Sequence, residues 1–286
     1  MRIAVVGATG QMGAAVAYAC APAHEIITFT HAELDVTDDG AVAVALERIG
    51  PDAIVNGAAY TDVDASEDHP IDALNVNAFA VRALARAARQ IRAALVHYST
   101  DFVFDGQTAE PYREDEQLNP RGVYAASKML GEWFALDAPR AYILRVASLF
   151  GRAPGTGPAK GSVAGIMNTL LAGGAPKVFE DRVISPTYVI DAADATRRIL
   201  ELSAPAGVYH CVNSGRCTWL EFARELARQL GVEPRLVPTR MTDVPMRAAR
   251  PLYSALANEK LRSVGIDMPP WQDALARYLQ AEELHA

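Results

Sequence analysis

Residues 2–13 read RIAVVGATGQMG: a β-branched run, then Gly7, Gly10 and Gly13 at three-residue spacing, then Met12, Val16 and Ala19 at helical spacing. A strand that turns tightly into a helix needs a residue without a Cβ at the turn. A dinucleotide pyrophosphate makes the same demand, because it must approach backbone N–H groups at the helix start, where the helix dipole favours negative charge. The third glycine lets helix and strand pack closely. GxxGxxG is weak as a bare string. Its place between a strand and an amphipathic helix is what makes it a nucleotide loop rather than a plain turn. A later stretch, GTGPAKGS (155–162), imitates a phosphate loop. Its order is Lys–Gly rather than Gly–Lys, so it reads as a connecting loop and not an ATP site.

The pattern that follows alternates. Strand-like runs at 2–6, 25–29, 52–56, 94–99 and 141–150 are separated by helix-like segments at 11–20, 39–48, 70–92 and 123–136. Continuous apolar strands between helices predict an α/β fold of Rossmann type, a doubly wound parallel sheet with right-handed crossovers. After Gly151 the chain is less regular: a Gly/Pro/Ala-rich stretch (153–165), helices near 163–172, 191–202, 218–230 and 269–283, and short strand candidates. This predicts a dinucleotide-binding part over 1–151, with return segments near 183–212, and a smaller mixed α/β part over 152–286 that is mainly substrate-binding. GVYHCV (207–212) fits as an added strand of the main sheet.

Composition excludes several classes. The 286 residues are half hydrophobic and 21% charged, enough to bury a core without disulfides or metals. Against 34 acids stand 27 Lys and Arg, a net charge of −7, so no basic face points to nucleic acid or an anionic membrane. No apolar run reaches the roughly 18 residues that span a bilayer. The N-terminus lacks the h-region of a signal peptide. Cys20, Cys211 and Cys217 show no CxxC spacing and read as packed, reduced thiols in a cytoplasmic protein. His31, His97 and His210 are not at metal-ligand spacing, and no metal site is predicted. Mg²⁺ dependence is not legible, and the choice between monomer and homodimer stays open.

Two places carry the chemistry. At the end of the second strand stand Phe29, Thr30 and His31. There is no acid at this tip to take a ribose hydroxyl and no Arg to take a 2′-phosphate, so NADP is permitted and NAD is not excluded. Asp35, in LDVTD, could face the adenine amino group or cap a turn. Further on, Tyr124 and Lys128 lie four apart on a predicted helix and so share a face. A lysine ammonium beside a tyrosine is expected to lower the phenol pKa and ready it for proton transfer. The alternative is a solvated pair. The strand HYSTDFVF (97–104) ends in Ser99, Thr100 and Asp101, and strand carboxyl ends are where open α/β sheets place ligand groups.

GATGQMG, NGAAYTDVDASED (56–68), STDFVFDG (99–106), YAASKMLGE (124–132) and RPLYSAL (250–256) together resemble the extended short-chain dehydrogenase/reductase superfamily and, within it, the dTDP-4-dehydrorhamnose reductase family. The resemblance spans nearly the whole chain in order. It implies a catalytic set of Thr100, Tyr124 and Lys128. It implies cofactor contacts at Gly7, Gly10, Gln11, Met12, Asp35, Val36, Ala58, Ala59, Tyr60, Tyr124 and Lys128, to which the glycine loop and the second-strand tip add Gly13 and Thr30; the cofactor expected is NADPH or NADH, with NADPH favoured. Thr100 and Asp101 would touch a dTDP-linked 4-ketohexose. Sugar-nucleotide dehydratases of the superfamily carry Thr-Asp-Glu at this strand end. Phe102 stands in place of that acid, so a simple reductase is implied. Ser148 stands where the family frequently has a sugar-packing Trp. Arg182, Pro186, Thr187 and Arg250 match a pattern bordering the nucleotide-sugar, and either arginine suits a diphosphate or a surface ion pair. Alternatives are a reductase of another nucleotide ketosugar, such as a GDP sugar, and a non-catalytic NADP-binding subunit similar to the regulatory subunit of methionine adenosyltransferase. Trp219, Phe222, Leu226 and Leu230 read as a core stripe, and His210 as a hydrogen-bonded core residue.

Overall fold

The computed structural model describes residues 1–159 and 161–283, so Lys160 of the GTGPAKGS stretch lies outside it. The first half runs β1 (Arg2–Val6), α1 (Gln11–Cys20), β2 (Glu25–Phe29), α2 (Asp39–Ile49), β3 (Ala53–Asn56), α3 (Ala65–Asp68), α4 (Pro70–Leu74), a π segment (Asn75–Phe79), α5 (Ala80–Ile91), β4 (Ala94–Thr100), α6 (Val123–Ala135) and β5 (Arg140–Val146). The second half adds β6 (Leu149–Phe150), α7 (Ser162–Leu171), β7 (Lys177–Phe179), β8 (Val183–Ile184), β9 (Thr187–Tyr188), α8 (Val189–Glu201) and β10 (Gly207–His210). It ends with β11 (Cys217–Thr218), α9 (Trp219–Leu230), β12 (Val237–Thr239), α10 (Glu259–Ser263) and α11 (Trp271–Glu283).

Strand alternation splits the core in two. Ile3 and Val5 of β1 face one side of the sheet, with Val55, Val96 and Leu144 from its neighbours. Ala4 and Val6 face the other, with Ile54, Leu95 and Ile143. Both faces are apolar, so both must be covered, and helices cover them. α2 and α5 carry apolar residues into the second layer. α1 and α8 cover the first, which continues without a break into Phe222, Trp271 and Tyr278 of the later helices. Each fully buried Leu, Ile or Phe contributes about 1.5–3 kcal/mol relative to exposure. The sheet order is β10-β5-β4-β3-β1-β2, and every neighbouring pair is parallel. β2 is therefore an edge strand. The chain reverses direction across the sheet between β1 and β3, and their carboxyl ends open the crevice where such sheets take ligands.

Local differences from the sequence pattern have physical causes. The segment predicted as one helix over 70–92 contains the π segment at Asn75–Phe79, an inserted residue of the kind that often marks a functional position. The strand predicted over 141–150 breaks at Ser148, whose φ of +44° interrupts the ladder between β5 and β6.

Candidate functional site

The crevice begins at the glycines. Gly7 sits at φ +71°, and a Cβ there would lie 2.5 Å from the Ala58 nitrogen. A Cβ on Gly13 would collide with the Gly7 carbonyl, and one on Gly57 would come within 3.0 Å of the Gly13 Cα. Three stretches of backbone thus touch where side chains would not fit. No side chain caps α1, and its first turn holds no acid. Its leading N–H groups are left for an anion, which fits a dinucleotide pyrophosphate.

The other residues expected at the cofactor surround this cradle. Gln11 is exposed and donates its amide to the Gly151 carbonyl at 2.7 Å, and Met12 is buried beneath it. Val36 is buried and Asp35 exposed; the Thr37 N–H and hydroxyl donate to Asp35 at 2.9 and 2.7 Å and hold its carboxyl below the usual range. The loop Ala58–Ala59–Tyr60 hangs from two buried asparagines. Ala58 N–H donates to Asn56 Oδ1 at 3.1 Å, and Tyr60 N–H to Asn77 Oδ1 at 2.9 Å. One expectation is corrected at the tip of β2. An acid does stand there: the Glu33 carboxylate folds back to accept the Thr30 N–H at 2.8 Å.

Thr100, Tyr124 and Lys128 meet at the carboxyl end of β4. Tyr124 and Lys128 both point from α6 toward β4, and Lys128 Nζ donates to the Tyr98 carbonyl at 2.5 Å. The Thr100 hydroxyl, which donates to Asp101 Oδ1 at 3.0 Å, stands near enough to the Tyr124 phenol to act on its pKa. The electrostatics differ from the sequence expectation that Lys128 lowers the phenol pKa. Burial pushes Tyr124 up to about 12; Thr100 opposes that rise and the Asp101 charge adds to it. Burial also pulls Lys128 down to about 8, opposed by the Glu132 carboxylate one turn on. The cost of removing each charged form from water outweighs what the two groups do for each other. The phenol is accordingly a proton donor at neutral pH.

Beyond the phenol, Phe102 packs edge-on against Tyr124 at 5.9 Å, and the Arg182 guanidinium lies 5.2 Å over the Phe102 ring. Asp101 is 3% exposed and Arg182 8%. Burial raises the Asp101 pKa and lowers that of Arg182, and each partly offsets the other. Asp101 Oδ2 and Arg182 Nε are buried and have no hydrogen-bond partner among the described residues. Native proteins rarely leave such atoms unpaired. Arg182 also walls a cleft of about 420 Å³ with Ile166, Thr169, Val178, Phe179 and Trp219. Trp219 therefore lines this cleft as well as packing on Phe222 at 5.9 Å.

Arg250 stands near enough to Arg182 for its charge to lower that guanidinium's pKa, but it is already paired. Its two terminal nitrogens bind Asp64 Oδ1 and Oδ2 at 2.9 and 2.8 Å, and the carboxyl is pulled down to about 2 by those bonds. Of the two arginines weighed for a diphosphate, Arg182 is the one without a carboxylate partner among the described residues. Ser148 is half-buried at the β5–β6 break, and its carbonyl accepts from Thr187 N–H at 3.3 Å.

Sequence reasoning missed several supporting residues. Asn77, from the π segment, donates to the Tyr60 carbonyl and to Ser127 Oγ, both at 3.0 Å, joining the loop after β3 to the helix of Tyr124 and Lys128. Glu67 accepts the Val123 N–H at 2.8 Å and so anchors the start of that helix. Below it, Glu132 accepts from Ser99 Oγ at 2.5 Å and from Arg145 Nε and Nη2 at 2.9 and 2.8 Å. Arg145 in turn contacts His210, whose pKa burial takes down to about 3. A polar Asn amid the apolar positions of the 70–92 segment was the available signal for Asn77. Glu132 and Arg145 gave only their charge.

A parallel doubly wound sheet with a glycine cradle at its switch point, faced by a Tyr and a Lys on one helix, defines a dinucleotide-binding fold of the short-chain dehydrogenase/reductase kind. The chain belongs to the family described as the RmlD substrate binding domain, whose model matches residues 1–284. It is similar to the dTDP-4-dehydrorhamnose reductase of Mycobacterium tuberculosis, with 35% identity over 98% of this chain and 93% of that one. Its structure is similar to that of a dTDP-4-dehydrorhamnose reductase from Clostridium acetobutylicum, with a TM-score of 0.92, 32% identity, and 99% and 100% of the two chains covered. It is also similar to the Bacillus anthracis dTDP-4-dehydrorhamnose reductase in complex with NADP, with a TM-score of 0.91, 31% identity, and 98% and 99% covered. No described helix is long and apolar enough to cross a membrane. Among the described residues no group of three or more His, Cys, Asp or Glu side chains could hold a metal ion.

Proposed function

We propose that this chain reduces the C4 ketone of dTDP-4-dehydro-L-rhamnose to the alcohol of dTDP-L-rhamnose. The observation that carries the reading is the convergence of Thr100, a protonated Tyr124 and Lys128 at the carboxyl end of β4, beside the glycine cradle. Bound in that cradle, NADPH or NADH supplies the hydride. Tyr124 gives its phenolic proton to the alkoxide oxygen that develops at C4. The Thr100 hydroxyl donates a hydrogen bond to the same oxygen, favouring the transition state over the ketone. Lys128, held by the Tyr98 carbonyl, places a cation under the ribose side of the site. Asp101 accepts from a sugar hydroxyl, and Arg182 takes the diphosphate at the mouth of the cleft; their unpartnered atoms support these roles. The names of the similar reductases support the dTDP-sugar, and the NADP complex of the B. anthracis relative supports the cofactor class. In domain terms, residues 1–151 with return segments near 183–212 hold the cofactor, and 152–286 supply most of the substrate side. Buried, unpaired cysteines are compatible with a reducing cytoplasm.

The test is cofactor oxidation with dTDP-4-dehydrorhamnose, wild type against Tyr124→Phe, with the sugar product identified. Removing a general acid is expected to lower kcat by about 10²–10⁴. No oxidation by the wild type overturns the reductase reading. Full activity in Tyr124→Phe overturns only the role of the phenol.

A further inference from the structure

The tip of β2 holds a group that the cofactor assignment above does not use. The Ala8 N–H donates to the Phe29 carbonyl at 3.1 Å, so the end of this edge strand lies against the glycine loop. The chain then doubles back, with the N–H groups of Glu33 and Leu34 donating to the Thr30 carbonyl at 3.1 and 3.0 Å. That turn lays the Glu33 carboxylate on the Thr30 N–H. The hydrogen bond holds the carboxyl below the usual carboxylate range, so it is ionised at neutral pH. Only Oε2 is engaged by the backbone, and the residue is exposed.

We infer that Glu33 reads the adenosine ribose and makes this chain select NADH over NADPH. The inference rests on the reductase reading above and narrows its cofactor. In doubly wound dinucleotide folds an acid about twenty residues past the glycines accepts from the ribose 2′-hydroxyl, whereas an arginine accommodates a 2′-phosphate. Glu33 stands twenty residues after Gly13. A carboxylate accepts from a hydroxyl and repels a phosphate, so the same atom both favours one cofactor and disfavours the other. No nearby cation reverses the balance. From Met1 to Glu47 the only Lys or Arg is Arg2, which stands at the opposite end of β1 and pairs with Glu25 at 3.0 Å. The same stretch carries Glu25, Glu33, Asp35, Asp38, Asp39 and Glu47. Arg82 of α5, the helix packed on α2, faces Asp39 at 3.8 Å, and no cation contributes to the shift of Glu33. The imidazole of His31 is the one other basic side chain on the turn.

The test is direct binding to the purified chain, followed by tryptophan fluorescence and calorimetry, with no sugar present. The wild type is expected to bind NADH at least about tenfold more tightly than NADPH, the scale of one unscreened like-charge contact. Glu33→Gln should narrow the ratio by weakening NADH and strengthening NADPH, and Glu33→Arg should invert it. Residue 33 is exposed, so unchanged thermal unfolding of both variants is the folding control. Equal or tighter binding of NADPH by the wild type overturns the inference, as does a ratio that Glu33→Gln leaves in place. Binding of neither cofactor overturns the reductase reading instead.

Discussion

Two sets of buried opposite charges lie close to α6 and are treated in opposite ways. Glu132 and Arg145 are each 3% exposed, and their bidentate contact is completed by Ser99 and His210. Asp101 and Arg182 are buried nearly as deeply, yet each keeps an atom with no partner. Taking a charge out of water costs several kcal/mol unless it is paired and hydrogen-bonded. The first set meets that cost within the protein and joins α6 to β4, β5 and β10. The second leaves it partly unmet beside the proton donor, where a polar ligand can meet it. Buried charge ties elements together where it is saturated, and where it is not it leaves polar atoms open to a ligand.

The largest expected effect breaks the saturated set. Arg145→Leu leaves Glu132 buried without its cation, and urea unfolding should register a loss of about 3–5 kcal/mol. Replacing Glu132 and Arg145 together by Leu and Met should restore much of it. A loss under about 1 kcal/mol in the single variant would mean the cluster is not structural.

Arg182→Met makes the opposite cut. Its stability should hold within about 1 kcal/mol, because Met removes a buried guanidinium whose desolvation no direct carboxylate contact among the described residues offsets, against the loss of its longer-range attraction to Asp101. Calorimetric binding of dTDP should weaken by about 2–5 kcal/mol, which is thirtyfold or more. If stability falls as far as in Arg145→Leu while dTDP binding survives, the distinction between the two sets is wrong.

The smallest effect concerns how the sets communicate. Lys128 in the free protein loses its proton around pH 8, because burial lowers its pKa, while Tyr124 stays protonated to about 12. The free-enzyme profile, kcat/KM against pH, should therefore fall as pH rises through about 8. Glu132 favours the ammonium, so Glu132→Gln, measured below its lowered unfolding temperature, should move that fall to lower pH. An unmoved limb would separate the saturated cluster from the chemistry.

The legible parts of this site are those whose partners are local. The glycine turn is written in three residues within one loop. The common face of Tyr124 and Lys128 follows from a four-residue spacing on a helix. The strand end that presents Thr100 and Asp101 follows from an apolar run that stops. The illegible parts depend on distant partners. Arg182 and Arg250 are equivalent as letters, and only the folded chain brings Asp64, 186 residues away, to Arg250. Asn77 acquires its role from a π insertion that shifts the helix register by one residue. Glu33 reaches the β2 tip because the chain doubles back after Thr30, which a strand pattern that stops at His31 does not reveal.

The sequence alone determined the doubly wound α/β class, the placement of the nucleotide loop, and the three residues expected at the chemistry. Periodicity and backbone conformation are local properties, and a string of residues carries them. The tertiary structure decided which arginine stays free, which acid folds back onto the tip of β2, and which way each pKa moves. Those outcomes depend on desolvation and on charges brought together from far apart in the chain. For Tyr124 the difference is one of sign: spacing suggested a phenol made acidic by lysine, and burial instead makes it one that holds its proton up to about pH 12.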